Sequence, residues 1–198
     1  YEIASCLVGS EMCIRDRAKA ITKRTLMGFR NGKVNMWAPE DLINKIKNQP
    51  ELFVKKVHDL VGKDVKINAI VGNPPYQEEG ENTRKTPIYH LFYDIAFQLT
   101  DKVTLITPAR YLFHAGQTPK EWMDRILSNP HFKVVRFYQK SSAIFDNVDI
   151  KGGVAIGYYD AHSDFGPIGF FSEYEELKTI VNKVSVSYTH LRAHETRG

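Results

Sequence analysis

Residues 65–76 read Val65-Lys66-Ile67-Asn68-Ala69-Ile70-Val71-Gly72-Asn73-Pro74-Pro75-Tyr76. Val65 to Val71 is a short apolar run of strand length, and it predicts a buried strand ending on Gly72. Asn73 follows at once, then two prolines that fix φ and remove backbone donors. In open α/β folds the working residues sit beyond the carboxyl ends of strands. The most unusual turn of the chain therefore stands where such a fold keeps its chemistry.

Downstream, Gln77 to Pro87 is polar and contains glycine, which predicts a loop. Ile88, Leu91, Phe92, Ile95, Ala96 and Leu99 then recur at helical spacing, giving an amphipathic helix. Val103 to Thr107 is the next strand. Thr118-Pro119-Lys120-Glu121 reads as a capping box with proline at the first helical position. It opens a helix through Trp122, Ile126 and Leu127 that Asn129-Pro130 ends. Lys133–Tyr138 and Val154–Tyr159 are two further strands with no convincing helix between them. Upstream, Ala38-Pro39-Glu40 opens a helix carrying Leu42, Ile43 and Ile46 on one face. Pro50 opens another, with Phe53, Val57 and Leu60 in a stripe and Gly62 placed to stop it.

Strands alternating with helices predict an α/β sheet with helices on its faces. The last two strands, lacking a crossover helix, make the final one antiparallel. The expectation is half of a doubly wound sheet, because no glycine-rich strand-to-helix turn of the kind used for nucleotide-like cofactors precedes residue 65.

The turn itself suits one demanding reaction. The exocyclic amine of adenine is conjugated with its ring and is a weak nucleophile. Two acceptors aimed at its two hydrogens favour a pyramidal nitrogen with an available lone pair. Asn73 offers a side-chain oxygen and Pro74 a backbone carbonyl, on a turn stiffened by proline. Stiff dipoles contribute most because they need no reorientation during reaction. Tyr76 adds a flat face for an extruded base. The plainer reading, a loop breaker after a strand, stays open on the residues alone.

The stretch from Ile67 to Tyr159 resembles the C-terminal part of the catalytic domain of adenine-specific (N6) DNA methyltransferases of restriction-modification systems. The resemblance is carried by Asn73-Pro74-Pro75-Tyr76 after a strand and by Tyr89-His90-Leu91-Phe92 on the next helix. Thr107-Pro108-Ala109-Arg110-Tyr111 at the next strand end and Phe145 before the last strand complete it. It implies transfer of a methyl group from S-adenosylmethionine to a flipped adenine in double-stranded DNA. Asn73, Pro74, Pro75 and Tyr76 would be catalytic, Tyr76 and Phe145 would hold the base, and Phe92 would line the cofactor's adenosine pocket. Phe92 and Phe145 also have plain core readings. A restriction nuclease, in the same or a companion chain, is an implied partner. The family's cofactor loop and acidic ribose-binding residue normally lie upstream, and a target-recognition region downstream. Neither is seen here, so the chain is expected to be a fragment without activity of its own.

Both ends look foreign. A back-translation of Leu7 to Asp16, LVGSEMCIRD, has a reverse complement that encodes VSYTHLRAHE, the sequence from Val186 to Glu195. Opposite strands of one oligonucleotide thus bracket the chain, and the string resembles a transposase-type sequencing adapter. Residues 1–17 and 185–198 are set aside as artefact, leaving 18–184 as a partial catalytic domain. Cys6 and Cys13 are then lost, which excludes disulfides, thiolate metal sites and cysteine nucleophiles, and no metal is expected. His190 and His194 go with them. Trimming removes four basic and four acidic residues, so the net charge stays at +4. That balance is compatible with a polyanion partner without demanding one. With no apolar run of membrane-spanning length, a soluble, cytoplasmic prokaryotic protein is expected. Arg84, Lys85 and Arg110 near the turn are most simply solvated surface charges.

Three other readings compete. A protein-glutamine or RNA amino-methyltransferase would share Asn-Pro-Pro-Tyr; the long polar segment Gln77–Pro87 and the Tyr89–Phe92 helix favour DNA. A non-catalytic DNA-binding remnant would need a clustered basic face that the sequence does not show. A purely structural α/β piece fits the order of the motifs least well.

Overall fold

The computed structural model describes residues 41–62, 65–79, 85–145, 149–174, 176–177 and 180–181. The helix start at Ala38–Glu40, both ends set aside above, and Arg84 lie outside the described residues. Two short helices come first. Helix α1, Leu42–Asn48, buries Leu42 and Ile46. Helix α2, Pro50–Val61, starts on its proline and buries Phe53. It stops at Gly62, whose positive φ of 106° suits glycine and whose amide donates to the His58 carbonyl. Leu60 is left exposed, so the apolar stripe of α2 is narrower than its spacing implies.

The sheet follows. Strand β1, Ile70–Gly72, pairs in parallel with β4, Lys102–Pro108. Strand β6, Val154–Asp160, runs antiparallel to β4, and β5, Phe132–Tyr138, pairs antiparallel with β6. The sheet order is β1-β4-β6-β5, so the last strand is antiparallel, as the element order predicts, and it is inserted between its predecessors. This is an α/β architecture with a mixed sheet.

Helix α3, Tyr89–Leu99, covers one face, with Phe92, Tyr93, Ile95 and Ala96 buried. Val103, Leu105 and Thr107 of β4 turn toward it and are buried, whereas Thr104 and Ile106, on the other face, are half-buried. Gly157 of β6 makes the close approach possible. A Cβ there would stand 2.4 Å from the Tyr93 hydroxyl and 2.6 Å from Cζ of Phe132. Helix α4, Lys120–Ser128, adds Trp122, Met123, Ile126 and Leu127 to the same core. Fully burying a large apolar side chain such as Phe132 contributes roughly 1.5–3 kcal/mol.

Three sequence expectations change. The strand foreseen over Val65–Val71 pairs only over Ile70–Gly72, and Val71 is 72% exposed rather than buried. Among the described residues β1 is an edge of the sheet, and Val71 lies on its exposed face. The segment Gln77–Pro87 is not simply a loop: β2, Gln77–Glu79, and β3, Lys85–Pro87, form an antiparallel ribbon. The capping box does not form either. Helix α4 begins after Pro119 with no side-chain cap, because the Thr118 hydroxyl is engaged 2.7 Å from that of Tyr89.

Candidate active site at the carboxyl edge of the sheet

The Asn-Pro-Pro-Tyr turn leaves β1 directly after Gly72. Asn73 is exposed, Pro74 is buried, and Pro75 and Tyr76 are half-buried. Its exit is fixed by the Ile88 amide, which donates to the Tyr76 carbonyl at 3.1 Å. The ribbon β2–β3 therefore loops out and returns to the base of the turn. Among the described residues no backbone amide takes up the Pro74 carbonyl. The turn thus presents an exposed amide side chain and an uncommitted carbonyl from a position held on both sides.

Behind it lies a layer of buried hydroxyls. The Tyr76 hydroxyl is buried without a hydrogen-bond partner. Burial pushes its pKa up to about 12, and the Asn73 side chain lies close enough to offset this slightly. Its contact with Asn73 falls short of hydrogen-bond geometry. Tyr93 is also pushed up to about 12 by burial, with the Thr107 hydroxyl at 3.5 Å opposing the shift. Tyr111 is fully buried, its hydroxyl has no partner of good geometry, and burial raises its pKa further. None of these phenols ionises near neutral pH, so none is a general base there. The sequence reading had no signal for this layer: Tyr93 looks like core on α3, and Tyr76 and Tyr111 read only as members of their motifs.

Two further loops reach the same edge. β4 ends at Pro108, level with Val154 at the start of β6 and, beyond it, Tyr138 at the end of β5. The 3-10 turn Ala109–Phe113 and the connection from β5 to β6 therefore share the edge with Asn73–Tyr76. Phe145 sits in that connection, half-buried. Its amide donates to the Ser141 carbonyl at 2.9 Å, and the buried Ser141 hydroxyl accepts from the Ile150 amide at 2.9 Å. Ser141 closes the loop from inside, a role no sequence motif announced. Asp146 and Asn147 lie outside the described residues.

Gly153 joins this loop to the Pro-Ala turn. Its φ is +79°, a Cβ would lie 2.4 Å from the Tyr138 carbonyl, and its own carbonyl accepts from the Ala109 amide at 3.0 Å. The Gly152-Gly153 pair was the legible sign of it. The structure thus brings Asn73–Tyr76 and Phe145 to one edge, separated by the ends of β4 and β6, with no ring contact between Tyr76 and Phe145 among the described residues. Phe92 is 7% exposed on α3 and packs in the core.

The Eco57I restriction-modification methylase family model matches residues 9–145, a span holding Asn73–Tyr76, Phe92 and Phe145. It begins inside the stretch 1–17 set aside above. No curated protein matches the chain. Among solved structures, SMU.776, a provisional methyltransferase complexed with SAH, is similar with TM-score 0.43 and 11% identity, over 79% of this chain and 38% of that one. A provisional RNA methyltransferase, PH1948 from Pyrococcus horikoshii, gives TM-score 0.38 and 15% identity, over 79% and 62%. Thermoplasma acidophilum 1320 gives TM-score 0.37 and 14% identity, over 80% and 67%. The chain thus spans between 38% and 67% of the length of these neighbours.

Proposed function

The chain belongs to the Eco57I restriction-modification methylase family, and from that premise we propose that it carries the acceptor turn of an N6-adenine DNA methyltransferase. One observation carries the reading. Exposed Asn73 stands at the carboxyl end of a strand, next to a buried proline whose carbonyl is uncommitted among the described residues.

The Asn73 side-chain oxygen and the Pro74 carbonyl accept the two hydrogens of the adenine amine and bring its lone pair forward. S-adenosylmethionine, when bound, supplies a methyl group on a cationic sulfur. This chain's own part would be to hold the amine nitrogen with its lone pair toward that carbon and to leave its surplus proton free to pass to solvent. No side chain need take the proton during transfer, in keeping with phenols that stay protonated behind the turn.

The exposed part of the Tyr76 ring stacks on the extruded base, and Phe145 approaches it from the loop two strands away. These residues fit the base better than the cofactor. Of the cofactor's contacts the chain would supply the acceptor turn and Phe92, which is 7% exposed on α3. The neutral amide and carbonyl also suit a double-stranded DNA substrate whose phosphates are met elsewhere. A restriction nuclease as companion is part of the same proposal.

The test is to express the longest reading frame containing Asn73–Tyr76 in a methylation-deficient host and to analyse its DNA, RNA and protein by mass spectrometry. N6-methyladenine in DNA is expected, and its loss in Asn73→Ala. Methylation appearing only on RNA or on protein glutamine overturns the DNA reading. Unchanged methylation in Asn73→Ala removes the turn from the reaction.

A further inference from the structure

Arg110 begins as an ordinary surface charge in sequence, but its setting is built. It follows Pro108-Ala109 at the carboxyl end of β4, between β1 and β6, and is only half-exposed. Its Nε donates to the Lys151 carbonyl at 2.6 Å. Its aliphatic stem is held between two glycines with positive φ. A Cβ at Gly116 would lie 3.2 Å from Cδ of Arg110, and one at Gly152 would lie 2.8 Å from its Cγ. Any side chain at Gly152 would displace the stem. The arginine is thereby held at the foot of the Phe145 loop, and its charge reaches the Tyr89 hydroxyl behind the acceptor turn.

Holding a guanidinium costs side-chain entropy. A protein pairing repays that with a carboxylate. Among the described residues none forms an ion pair with Arg110, although Asp149 stands exposed in the same loop. One edge of the fork is used by Lys151, and the terminal nitrogens have no partner among the described residues. Lys140 and Lys151 on the same connection are balanced by Asp146 and Asp149, so the surplus positive charge there is that of Arg110.

We propose that Arg110 is a phosphate anchor for the DNA strand, gripping the backbone beside the nucleotide that is turned out between Asn73–Tyr76 and Phe145. The inference rests on the DNA reading above. A planar fork fixed at Nε presents its two terminal nitrogens together, which suits two oxygens of one phosphate. Placed between the two base-holding loops, it holds the backbone where it must bend outward, and it carries no sequence information.

The test is the salt dependence of binding. The full chain is titrated onto a short fluorescein-labelled duplex with one mismatched adenine, and anisotropy is read over a range of salt. Each phosphate contact contributes about 0.9 to the slope of log K against log salt. Arg110→Gln places an amide donor near the Lys151 carbonyl and removes the charge, so the slope is expected to fall by about one. Arg110→Lys, which restores the charge, is expected to recover the slope. Lys66→Gln, a charge change at the opposite edge where Lys66 pairs with Asp101, is expected to leave it unchanged. A purely structural role would weaken binding without moving the slope. Equal slopes for the native chain and Arg110→Gln overturn the anchor and leave the adenine reading standing. A fall shared by Arg110→Lys also overturns it. Native protein without salt-dependent DNA binding overturns both.

Discussion

Replacing Gly157 by alanine tests how tightly α3 is seated on the sheet. The added methyl would meet the Tyr93 hydroxyl at 2.4 Å and the Phe132 ring at 2.6 and 2.8 Å. Carbon contacts settle near 3.5–4.0 Å, so the ring must retreat by about 1 Å. Neither side chain has room, since both are fully buried. Overpacking of a tight core costs typically about 1–3 kcal/mol. The loss of glycine's freedom in the unfolded chain returns about 0.4–1 kcal/mol. The net expectation is a loss of about 1.3 kcal/mol. At about 2–4 °C per kcal/mol for a domain of this size, the melting temperature falls by about 3–5 °C. Tryptophan emission is a suitable probe, because Trp122 packs 5.8 Å from the Tyr93 ring. Tyr93→Phe in the Gly157→Ala background removes only the hydroxyl contact and should recover part of the loss. A melting temperature within about 1 °C of the native chain would refute the packing described here, on the scale just used.

Thr118→Val leaves the Tyr89 hydroxyl buried without its 2.7 Å partner and should cost about 1–3 kcal/mol in a urea melt, while Glu121→Ala should change stability by no more than about 0.5 kcal/mol. The reverse ranking would restore the capping box. Alkaline titration is the third check. Tyr76 and Tyr93 are held near 12 by burial, above the ordinary value of about 10, so the fold keeps them protonated. Their contribution is whole below pH 10 and is lost as the pH rises through about 12, so stability falls across that window. Tyrosinate absorbance should therefore show some of the ten tyrosines ionising only together with unfolding. Smooth ionisation of all ten near the ordinary value would refute the buried layer.

What the sequence disclosed was local. Pro50 and Gly62 bracket α2, and the spacing of Leu91, Phe92, Ile95 and Ala96 marks α3, because caps and periodicity act within a few residues. The Asn-Pro-Pro-Tyr turn was legible for the same reason, being rigid by composition. What escaped depends on partners far along the chain. Thr118 reads as a cap until Tyr89, 29 residues earlier, takes its hydroxyl. The β2–β3 ribbon has three pairs, polar except for Pro87, and no apolar alternation to reveal it. Val71 reads as core because apolarity alone does not say which face of a sheet is covered. Arg110 reads as solvated until Gly116 and Gly152 are found on either side of its stem. Phe92 reads both ways, as adenosine pocket by the family likeness and as core by the spacing of α3, and it packs in that core.

The position of β6 has a consequence for how the chain is made. Synthesis delivers β4, then β5, then β6, whereas the sheet reads β4-β6-β5. Among the described residues β5 has no sheet neighbour except β6. As the polypeptide leaves the ribosome, the open side of β4 waits unpaired while β5 emerges with nothing to join. Only when Val154–Asp160 arrives are both docked, in one closing event that also draws the Phe145 loop to the edge beside Asn73. A nascent chain halted before residue 154 has its acceptor turn and β5 but not β6, the strand that docks β5 and holds the opposing loop in place.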